Sequence, residues 1–305
     1  MYWGIDGGGT STRAVMDAGQ GRLSEVVTSS ASNMLVVGVK QAYRAMDEVL
    51  AKLQQIPVDI TLAPGVVGLA GADRQGVHKA WQNYFVDRGF ARVWIVGDYW
   101  LPWAVFTQGN DGIVGVLGTG SVFFGMHRGD AIRLGGYGWK LGDVGSALSI
   151  GQQGIKKAIE SWEGIEQRTG LVARSLEFFS VSSIPDLIEQ LYEPAYPIRQ
   201  LADFAPRVFE TAAQGDRVAL ALLANEATRI RQILKSYARN LKGIELTVGL
   251  SGGLSPLWLP YLKKHVSFRS VRVQFSLVDK PAVYGAVWLA KKWSQEGRNY
   301  DTHEL

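Results

Sequence analysis

A glycine-rich turn between two short apolar strands, at the start of the chain, constrains the fold more than any other feature. Residues 2–17 read YWGIDGGGTSTRAVMD. The glycines Gly7–Gly9 can adopt backbone angles closed to other residues and let a ligand approach the main chain. Three hydroxyl residues, 10–12, follow them, and Asp6 ends the first strand. The turn is either a plain tight hairpin or a phosphate cradle whose carboxylate is placed for a hydrated metal ion.

Composition limits the classes of function. The chain has 305 residues, 47% of them hydrophobic, which is normal for one large domain or two ordinary ones. The formal charge of +4 comes from 32 basic and 28 acidic residues without clusters, so we expect no nucleic-acid partner. The absence of cysteine excludes disulfides, thiolate-held iron–sulfur clusters and thiol catalysis. Four scattered histidines argue against a structural zinc site.

Location and assembly are also predicted from the sequence. The first strand begins almost at Met1, which leaves no room for a signal peptide. No apolar run approaches the ~20 residues that span a bilayer. We therefore expect a cytoplasmic protein with no membrane partner. The ten tryptophans leave room for a buried dimer face, and we expect a homodimer.

Strands alternate with helices after the opening hairpin. Apolar spacing predicts helices near residues 37–53 and 77–88, and short buried runs predict strands over residues 66–69 and 93–96. This alternation indicates an α/β domain with a largely parallel sheet, opened by an antiparallel meander.

Asp98 follows the carboxyl end of the strand predicted over residues 93–96. Ligands of open α/β sheets bind at that position, which makes Asp98 a candidate site residue. The alternative is that Asp98 caps a helix over residues 99–106, since aspartate is a favoured N-cap.

The strand–turn–strand pattern recurs near the middle of the chain. Residues 113–124 read IVGVLGTGSVFF, with residues 118–121 (GTGS) in place of the first glycine run. A repeated unit that opens both halves of one chain indicates internal duplication. Two such turns facing each other could clamp a polyphosphate, and two unrelated hairpins are the alternative.

Two further glycine-rich segments follow. Residues 135–151 read GGYGWKLGDVGSALSIG, which is either a substrate loop ending at a helix start near Ser146 or a plain connection in which Asp143 caps the helix. The predicted strand over residues 246–250 leads into SGGLS, whose backbone could press against a flat ligand such as a purine.

Five segments now stand in a definite order: GIDGGGTSTRAV, VGLAGADR, GVLGTGS, GWKLGDVGS and GLSGGLSP. In this order the chain resembles the sugar kinase/Hsp70/actin superfamily from residue 2 to about residue 290, and within it the N-acetylglucosamine kinase and BadF/BadG/BcrA/BcrD ATPase group. The resemblance implies an α/β, two-lobed, actin-like ATPase (ribonuclease H-like) fold, duplicated, with an interlobe cleft. It implies an N-terminal lobe over residues 1–110 and a C-terminal lobe over 111–280, with a last helix near 281–293 packing back on the first.

The resemblance also implies roles for single residues. The phosphate-binding positions are Gly8, Gly9, Thr10, Thr12, Gly118, Thr119, Gly120 and Ser121. Gly252 and Gly253 match the adenosine loop. Asp6 matches the acid associated with Mg²⁺, through water, and Asp98 matches the catalytic aspartate. The positions that bind sugar are Asn33, Asp98, Gly120 and Asp143.

The implied activity is ATP- and Mg²⁺-dependent phosphorylation of an amino sugar, N-acetylglucosamine to its 6-phosphate, with glucosamine as the alternative substrate. Two positions depart from the family pattern. Gly97 and Tyr99 flank Asp98 where an Asn-Asp-Ala type motif is usual, and Val144 replaces the glutamate of Gly-Asp-Glu-Gly-Ser. The missing acid argues for the neutral acetamido sugar.

Two other functions on the same fold fit the sequence less well. An ATPase that activates a dehydratase would need cysteine ligands for its cluster, and the chain has none. A sugar-sensing regulator would carry an added helix-turn-helix region, and we expect none before the first strand.

Overall fold

The computed structural model describes residues 1–19, 21–54, 59–193, 196–239, 245–269 and 271–300. It divides the chain into two compact units. The first is Met1–Asp111 together with the C-terminal segment from Val278, and the second is Gly112–Leu277. Each unit contains a five-stranded mixed sheet with helices, which confirms the predicted α/β class.

The sheet of the first unit is ordered β3-β2-β1-β4-β5. Its strands are β1 (Tyr2–Gly7), β2 (Thr12–Asp17), β3 (Val27–Ser29), β4 (Gly65–Leu69) and β5 (Val93–Gly97). β1 and β2 pair antiparallel across the glycine turn, whereas β4 and β5 continue the sheet parallel to β1. The carboxyl ends of β1, β4 and β5 therefore lie at one edge of the sheet.

The helices of the first unit are α1 (Met34–Val37), α2 (Val39–Leu53), α3 (Gln75–Asp87), α4 (Trp100–Thr107) and α12 (Val283–Gln295). The helix predicted near residues 37–53 is α2, and the short helix α1 before it was not predicted; Gly38, with φ of 77°, separates the two. Glycine reaches this angle without steric cost. In α2 the residues at helical spacing, Ala42, Met46, Val49 and Leu53, are fully buried in the core of the unit.

The tryptophans pack mainly inside their own unit. Seven of them have at most 4% of their surface exposed: Trp3, Trp81, Trp94, Trp100, Trp103, Trp258 and Trp293. Trp3 also donates its indole N–H to the carbonyl of Ala63 at 2.9 Å. Trp139 and Trp162 are the exposed ones, at 46% and 53%. Most of the tryptophans therefore belong to the apolar cores and give no evidence of a dimer face. The homodimer stays a prediction.

The second unit repeats the topology of the first. Its strands are β6 (Gly112–Leu117), β7 (Ser121–His127), β8 (Asp130–Gly135), β9 (Glu245–Ser251) and β10 (Arg272–Leu277). The order β10-β9-β6-β7-β8, with β6 and β7 antiparallel and β9 and β10 parallel to β6, matches the first sheet strand for strand. This equivalence supports the predicted duplication.

Seven helices of the second unit are described: α5 (Ala147–Trp162), α6 (Leu171–Phe179), α7 (Ile184–Leu191), α8 (Arg199–Asp203), α9 (Ala205–Ala213), α10 (Arg217–Ala238) and α11 (Ser255–His265). Buried side chains of these helices and of the sheet form a large apolar core among the described residues of the unit. In the part of the chain that the structure describes, no helix has the length and apolar character required to cross a membrane.

The C-terminal helix α12 packs on β1, β4 and α4 of the first unit. The contact is close enough to require glycine at position 285. A methyl group there would overlap the carbonyl oxygen of Leu101 at the start of α4. Backbone atoms give way less readily than flexible side chains, so the helix itself would have to shift.

We expect Gly285→Ala to lower the free energy of unfolding by about 2 kcal/mol, since overpacking costs roughly 1–3 kcal/mol. Gly76→Ala is the matched control, because a methyl group at this position in α3 meets nothing within 4 Å. It should be neutral or stabilising by up to about 1 kcal/mol through helix propensity. Urea unfolding of both variants measures the difference, and equal midpoints would contradict the close contact.

Candidate active site

Backbone hydrogen bonds hold the base of the glycine turn of the first unit, and the tip of the turn is exposed. The Gly8 N–H donates to the carbonyl of Ser11 at 3.1 Å, and the Gly8 carbonyl accepts the N–H groups of Ser32 and Asn33, each at 3.2 Å. Gly9 and Thr10 are exposed. The structure thus brings Asn33, predicted to bind sugar, against the predicted phosphate turn, whose tip stays accessible.

Asn33 and Thr12 both have structural tasks in this arrangement. The side-chain oxygen of Asn33 accepts the N–H of Leu35 at 3.0 Å and caps α1. Thr12 begins β2, is fully buried, and donates its hydroxyl to the carbonyl of Ser30 at 2.7 Å. The Thr12 hydroxyl therefore holds the loop before Asn33, which differs from the expectation that it faces a phosphate.

Three aspartates lie at or just beyond the ends of three adjacent parallel strands. Asp6 is the second-last residue of β1, where it pairs in register with Gly68 of β4. Asp73 lies in the turn after β4, and Asp98 directly follows β5. Because these strands run parallel, the three carboxylates meet at the carboxyl edge of one sheet, where α/β folds bind ligands.

Burial raises the pKa of two of these carboxyls, and the charge of neighbouring carboxylates adds to the effect at one of them. Burial is the larger cause at Asp98, with the charges of Asp6 and Asp73 adding to it, and together they raise its pKa to about 7. Burial also raises the pKa of Asp6 to about 6, against the opposing charge of Arg13. A carboxylate whose pKa lies near the working pH is suited to general-base catalysis.

Asp98 is not the cap of the helix that follows it. The N-cap position of α4 is occupied by Tyr99, and no side chain makes a capping hydrogen bond there. The Asp98 backbone carbonyl accepts the N–H of Leu101 at 3.2 Å, which keeps Asp98 in a short turn between β5 and α4. The capping alternative is wrong in that Asp98 does not take the N-cap position, and its carboxylate instead accepts backbone hydrogen bonds from its own N–H and from that of Tyr99.

The matching turn of the second unit is docked on a helix. The Gly118 N–H donates to the Gly120 carbonyl at 2.9 Å. The carbonyls of Gly118 and Thr119 accept the N–H groups of Ala147 and Leu148 in the first turn of α5, at 2.8 and 3.2 Å. Thr119 and Gly120 are exposed. As in the first unit, the turn is fixed at its base and accessible at its tip.

Asp143 lies against this second turn. Its carboxylate accepts the Gly138 N–H at 3.1 Å and a backbone hydrogen bond from Ser121. A methyl group at Gly120 would lie 2.9 Å from Asp143 Oδ2. Burial raises the pKa of Asp143 despite these hydrogen bonds. The structure thus brings together Gly120 and Asp143, both predicted to bind sugar, within one unit.

The alternative reading of Asp143 as the cap of α5 is wrong. Ser146 takes the N-cap position, and its hydroxyl accepts the Ser149 N–H at 3.1 Å. Asp143 itself has a positive φ of 62°, which is uncommon for a residue other than glycine. Such a conformation persists where surrounding contacts determine it, often at functional sites.

The peptide of Gly145 is held on both sides by residues that sequence reasoning missed. Its N–H donates to Glu226 Oε2 at 2.7 Å, and its carbonyl accepts the indole N–H of Trp258 at 2.8 Å. Glu226 is fully buried on α10 and forms an ion pair with Arg229 at 2.7 Å. Val144, which replaces the glutamate of the family loop, packs against the apolar core of the second unit.

The third glycine turn follows β9. Gly252 has a φ of 98°, and a methyl group there would lie 2.5 Å from the carbonyl oxygen of Leu117. The same oxygen accepts the Leu254 N–H at 2.9 Å, which fixes the turn against β6. Gly253 is exposed, and a methyl group added to it would meet nothing within 4 Å, so its backbone is accessible to a ligand.

Asp6 is the residue that could take part in holding Mg²⁺. Among the described residues, no group of three or more His, Cys, Asp or Glu side chains could hold a metal ion. Mg²⁺ is usually held by one or two carboxylates, several waters and the phosphates of a substrate, so a dedicated cage is not needed. An aspartate beside a glycine-rich turn fits that mode of binding.

Comparisons with known proteins identify the family of the chain. A model of the BadF/BadG/BcrA/BcrD ATPase family matches residues 3–287. The chain is 25% identical to an N-acetylmuramic acid/N-acetylglucosamine kinase of Clostridium acetobutylicum over 94% of this chain and 97% of that one. It is 27% identical to a glucosamine kinase of Vibrio cholerae over 95% and 96% of the two chains.

A solved structure shows the same fold. The crystal structure of a proposed N-acetylglucosamine kinase from Chromobacterium violaceum is similar with a TM-score of 0.74 and 25% identity, covering 95% of this chain and 98% of that chain. The predicted two-lobed, actin-like sugar kinase fold is therefore confirmed. The roles of the single site residues stay predictions.

We expect Asp98→Asn to raise the free energy of unfolding at pH 8 by about 2 kcal/mol relative to wild type. The folded pKa of about 7 exceeds the ordinary value of 3.8, so folded Asp98 holds its proton more tightly than unfolded Asp98. Wild type therefore loses stability as the pH rises from about 4 to about 7. Urea unfolding from pH 4 to pH 8 checks this, and a difference independent of pH would contradict it.

We expect Glu226→Ala to lower the free energy of unfolding by about 3 kcal/mol, because it leaves the buried Gly145 N–H without an acceptor and Arg229 without a partner. Glu210→Ala is the matched control, since Glu210 pairs with Arg207 at 2.8 Å on the exposed face of α9. That change should cost less than about 1 kcal/mol. Similar losses in the two variants would show that the Gly145 clamp contributes little.

Proposed function

The chain belongs to the BadF/BadG/BcrA/BcrD ATPase family, and from this premise we propose that it is an ATP-dependent kinase that phosphorylates an amino sugar. Our first choice of substrate is N-acetylglucosamine, phosphorylated at O6. The observation that carries the proposal is the partly buried Asp98, which directly follows the parallel strand β5, lies beside Asp6 and Asp73, and has a pKa raised to about 7. Relatives over nearly the whole chain act on N-acetylglucosamine or glucosamine, by their names.

Asp98 would accept the proton of the attacking sugar hydroxyl. A positioned general base typically contributes 10²–10⁴-fold. The remaining acceleration would come from positioning and from stabilising charge on the transferred phosphoryl group. The exposed backbone at Gly9 and Thr10 supplies donors of the kind that phosphates need, and so does that at Thr119 and Gly120.

Two observations bear on the choice between acetylated and free amino sugars. Val144 brings an apolar side chain to the position where the family loop has an acid, and it packs into the core. Glu226, the buried carboxylate that α10 brings to that loop, is already bound to the Gly145 N–H and to Arg229. A cationic amine would gain no free carboxylate from either residue, which favours the neutral acetamido group. Glucosamine is the alternative.

Three further features belong to the proposal. We expect Asp6 to hold the Mg²⁺ of the nucleotide through water, and that ion neutralises phosphate charge when bound. A homodimer and a cytoplasmic location complete the description, both carried over from the sequence.

A coupled assay of ADP release with N-acetylglucosamine, glucosamine, N-acetylmannosamine and glucose tests the function. We expect the highest kcat/KM with N-acetylglucosamine. Asp98→Asn should lower kcat at least about 10²-fold, because it removes the base, while sugar binding is largely kept.

Sugar binding to Asp98→Asn, measured by calorimetry, is the control for the integrity of the site. ADP release that none of the four sugars stimulates would contradict the kinase function. Near-normal turnover by Asp98→Asn would remove Asp98 from the role of base.

A further inference from the structure

Gly97 and Tyr99, the two residues that flank Asp98 and depart from the family motif, pack directly against each other. The aromatic ring of Tyr99 folds back over Gly97. A methyl group at Gly97 would overlap Tyr99 Cε1, lie 2.6 Å from Cζ, and lie 2.9 Å from Asp73 Oδ1. A ring at position 99 in this orientation therefore requires glycine at position 97. The two departures from the Asn-Asp-Ala type motif are one structural change rather than two.

The Tyr99 hydroxyl joins two strand ends. It donates to Asp73 Oδ1 at 2.7 Å, and only 3% of the Tyr99 surface is exposed. Asp73 sits in a tight turn after β4, closed by hydrogen bonds from the Ala72 N–H to Leu69 and from the Arg74 N–H to Gly71, both at 3.1 Å. Since β4 and β5 are neighbours in the sheet, the bond links the turn after β4 to the turn that carries Asp98.

The position of Asp98 depends on this link. Asp98 has no regular structure of its own, because it lies between the end of β5 and the start of α4. Its carboxylate accepts backbone hydrogen bonds from its own N–H and from that of Tyr99, and the charges of Asp6 on β1 and Asp73 after β4 act on it. Because Tyr99 is buried, its place in the interior determines where that backbone holds the carboxylate.

We propose that Tyr99 and Asp73 are positioning residues, which hold the turn of Asp98 so that its carboxylate meets the substrate hydroxyl, and that Gly97 admits the Tyr99 ring. This inference rests on the proposed function, since it concerns how the base of that reaction is held. Small displacements of a catalytic group cost up to about 10²-fold in rate. The effect should therefore fall on kcat rather than on substrate binding.

Tyr99→Phe isolates the hydroxyl. We expect kcat to fall about tenfold while KM for ATP and for the sugar changes by less than about twofold, because the ring still fills its place and only the anchor of the turn is lost. Tyr84→Phe is the matched control. The Tyr84 hydroxyl donates to Asp47 Oδ1, also at 2.7 Å, and the residue is 1% exposed, but it lies on α3. This control should lose stability to a similar extent and keep its kcat.

A second pair of variants tests the match between positions 97 and 99. Gly97→Asn should lower kcat at least about tenfold, because any side chain there displaces the Tyr99 ring and the Asp73 carboxylate. In the double variant Gly97→Asn/Tyr99→Ala the losses of unfolding free energy should be less than additive, because the asparagine side chain then has no ring to displace, while kcat stays low because the Tyr99 hydroxyl is absent. Additive losses, measured by urea unfolding of the single and double variants, would overturn the match between the two positions.

The positioning role would be overturned by wild-type kcat in Tyr99→Phe, or by an equal loss of kcat in Tyr84→Phe. Hydrogen exchange of the full chain gives a reading that does not need turnover. Backbone amides of residues 97–101 should exchange faster in Tyr99→Phe than in wild type or Tyr84→Phe, and equal rates would overturn the link. If no amino sugar is phosphorylated while exchange changes as expected, the proposed function fails and the structural link stands.

Discussion

The central constraint on the site is the electrostatic repulsion among Asp6, Asp73 and Asp98 at the carboxyl edge of the first sheet. The register of three parallel strands forces it, since Asp6 pairs with Gly68 and the last residues of β4 and β5, Leu69 and Gly97, pair with each other. That register is held by fully buried apolar side chains such as Ile5 and Val67. The apolar core therefore offsets the repulsion, and burial, with the repulsion adding to it, raises the pKa of Asp98 to about 7, which makes it basic enough to accept a proton near neutral pH.

In the second unit, buried polar groups hold the loop that carries Asp143. This glycine-rich loop carries Asp143 in a backbone conformation that few residues adopt, so the loop needs anchors. Ser121 donates its hydroxyl to the carbonyl of Val144. Glu226 accepts the Gly145 N–H, and Trp258 donates its indole N–H to the Gly145 carbonyl. A buried charge such as Glu226 is costly without partners, and here it has both a backbone N–H and an arginine. Rigid loops on a shared topology are what a binding site for phosphates and sugar requires.

Much of the fold could be predicted from sequence because its signals are local. Apolar spacing and glycine turns predicted β1, β2, β4, β5, β6, β7 and β9, and the repeat near residue 113 indicated the duplication. The edge strands β8 and β10 were not predicted, because most of their residues are exposed or half-buried and carry no continuous apolar signal. The site was predicted less completely, because its supporting contacts join distant parts of the chain. Tyr99 and Asp73 are 26 residues apart, and Gly145 and Glu226 are 81 apart. The sequence motif predicted that Thr12 binds phosphate. In the structure, pairing of β2 with β1 buries Thr12, and its hydroxyl donates to the carbonyl of Ser30.

The central claim is that a phosphoryl group passes to a sugar hydroxyl and not to water. Phosphorus–proton correlation NMR on a reaction of the full chain with ATP, Mg²⁺ and N-acetylglucosamine tests it most directly. The account predicts a new phosphorus resonance coupled to the two protons on C6 of the sugar. Release of inorganic phosphate as the sole phosphorus product besides ADP would contradict it.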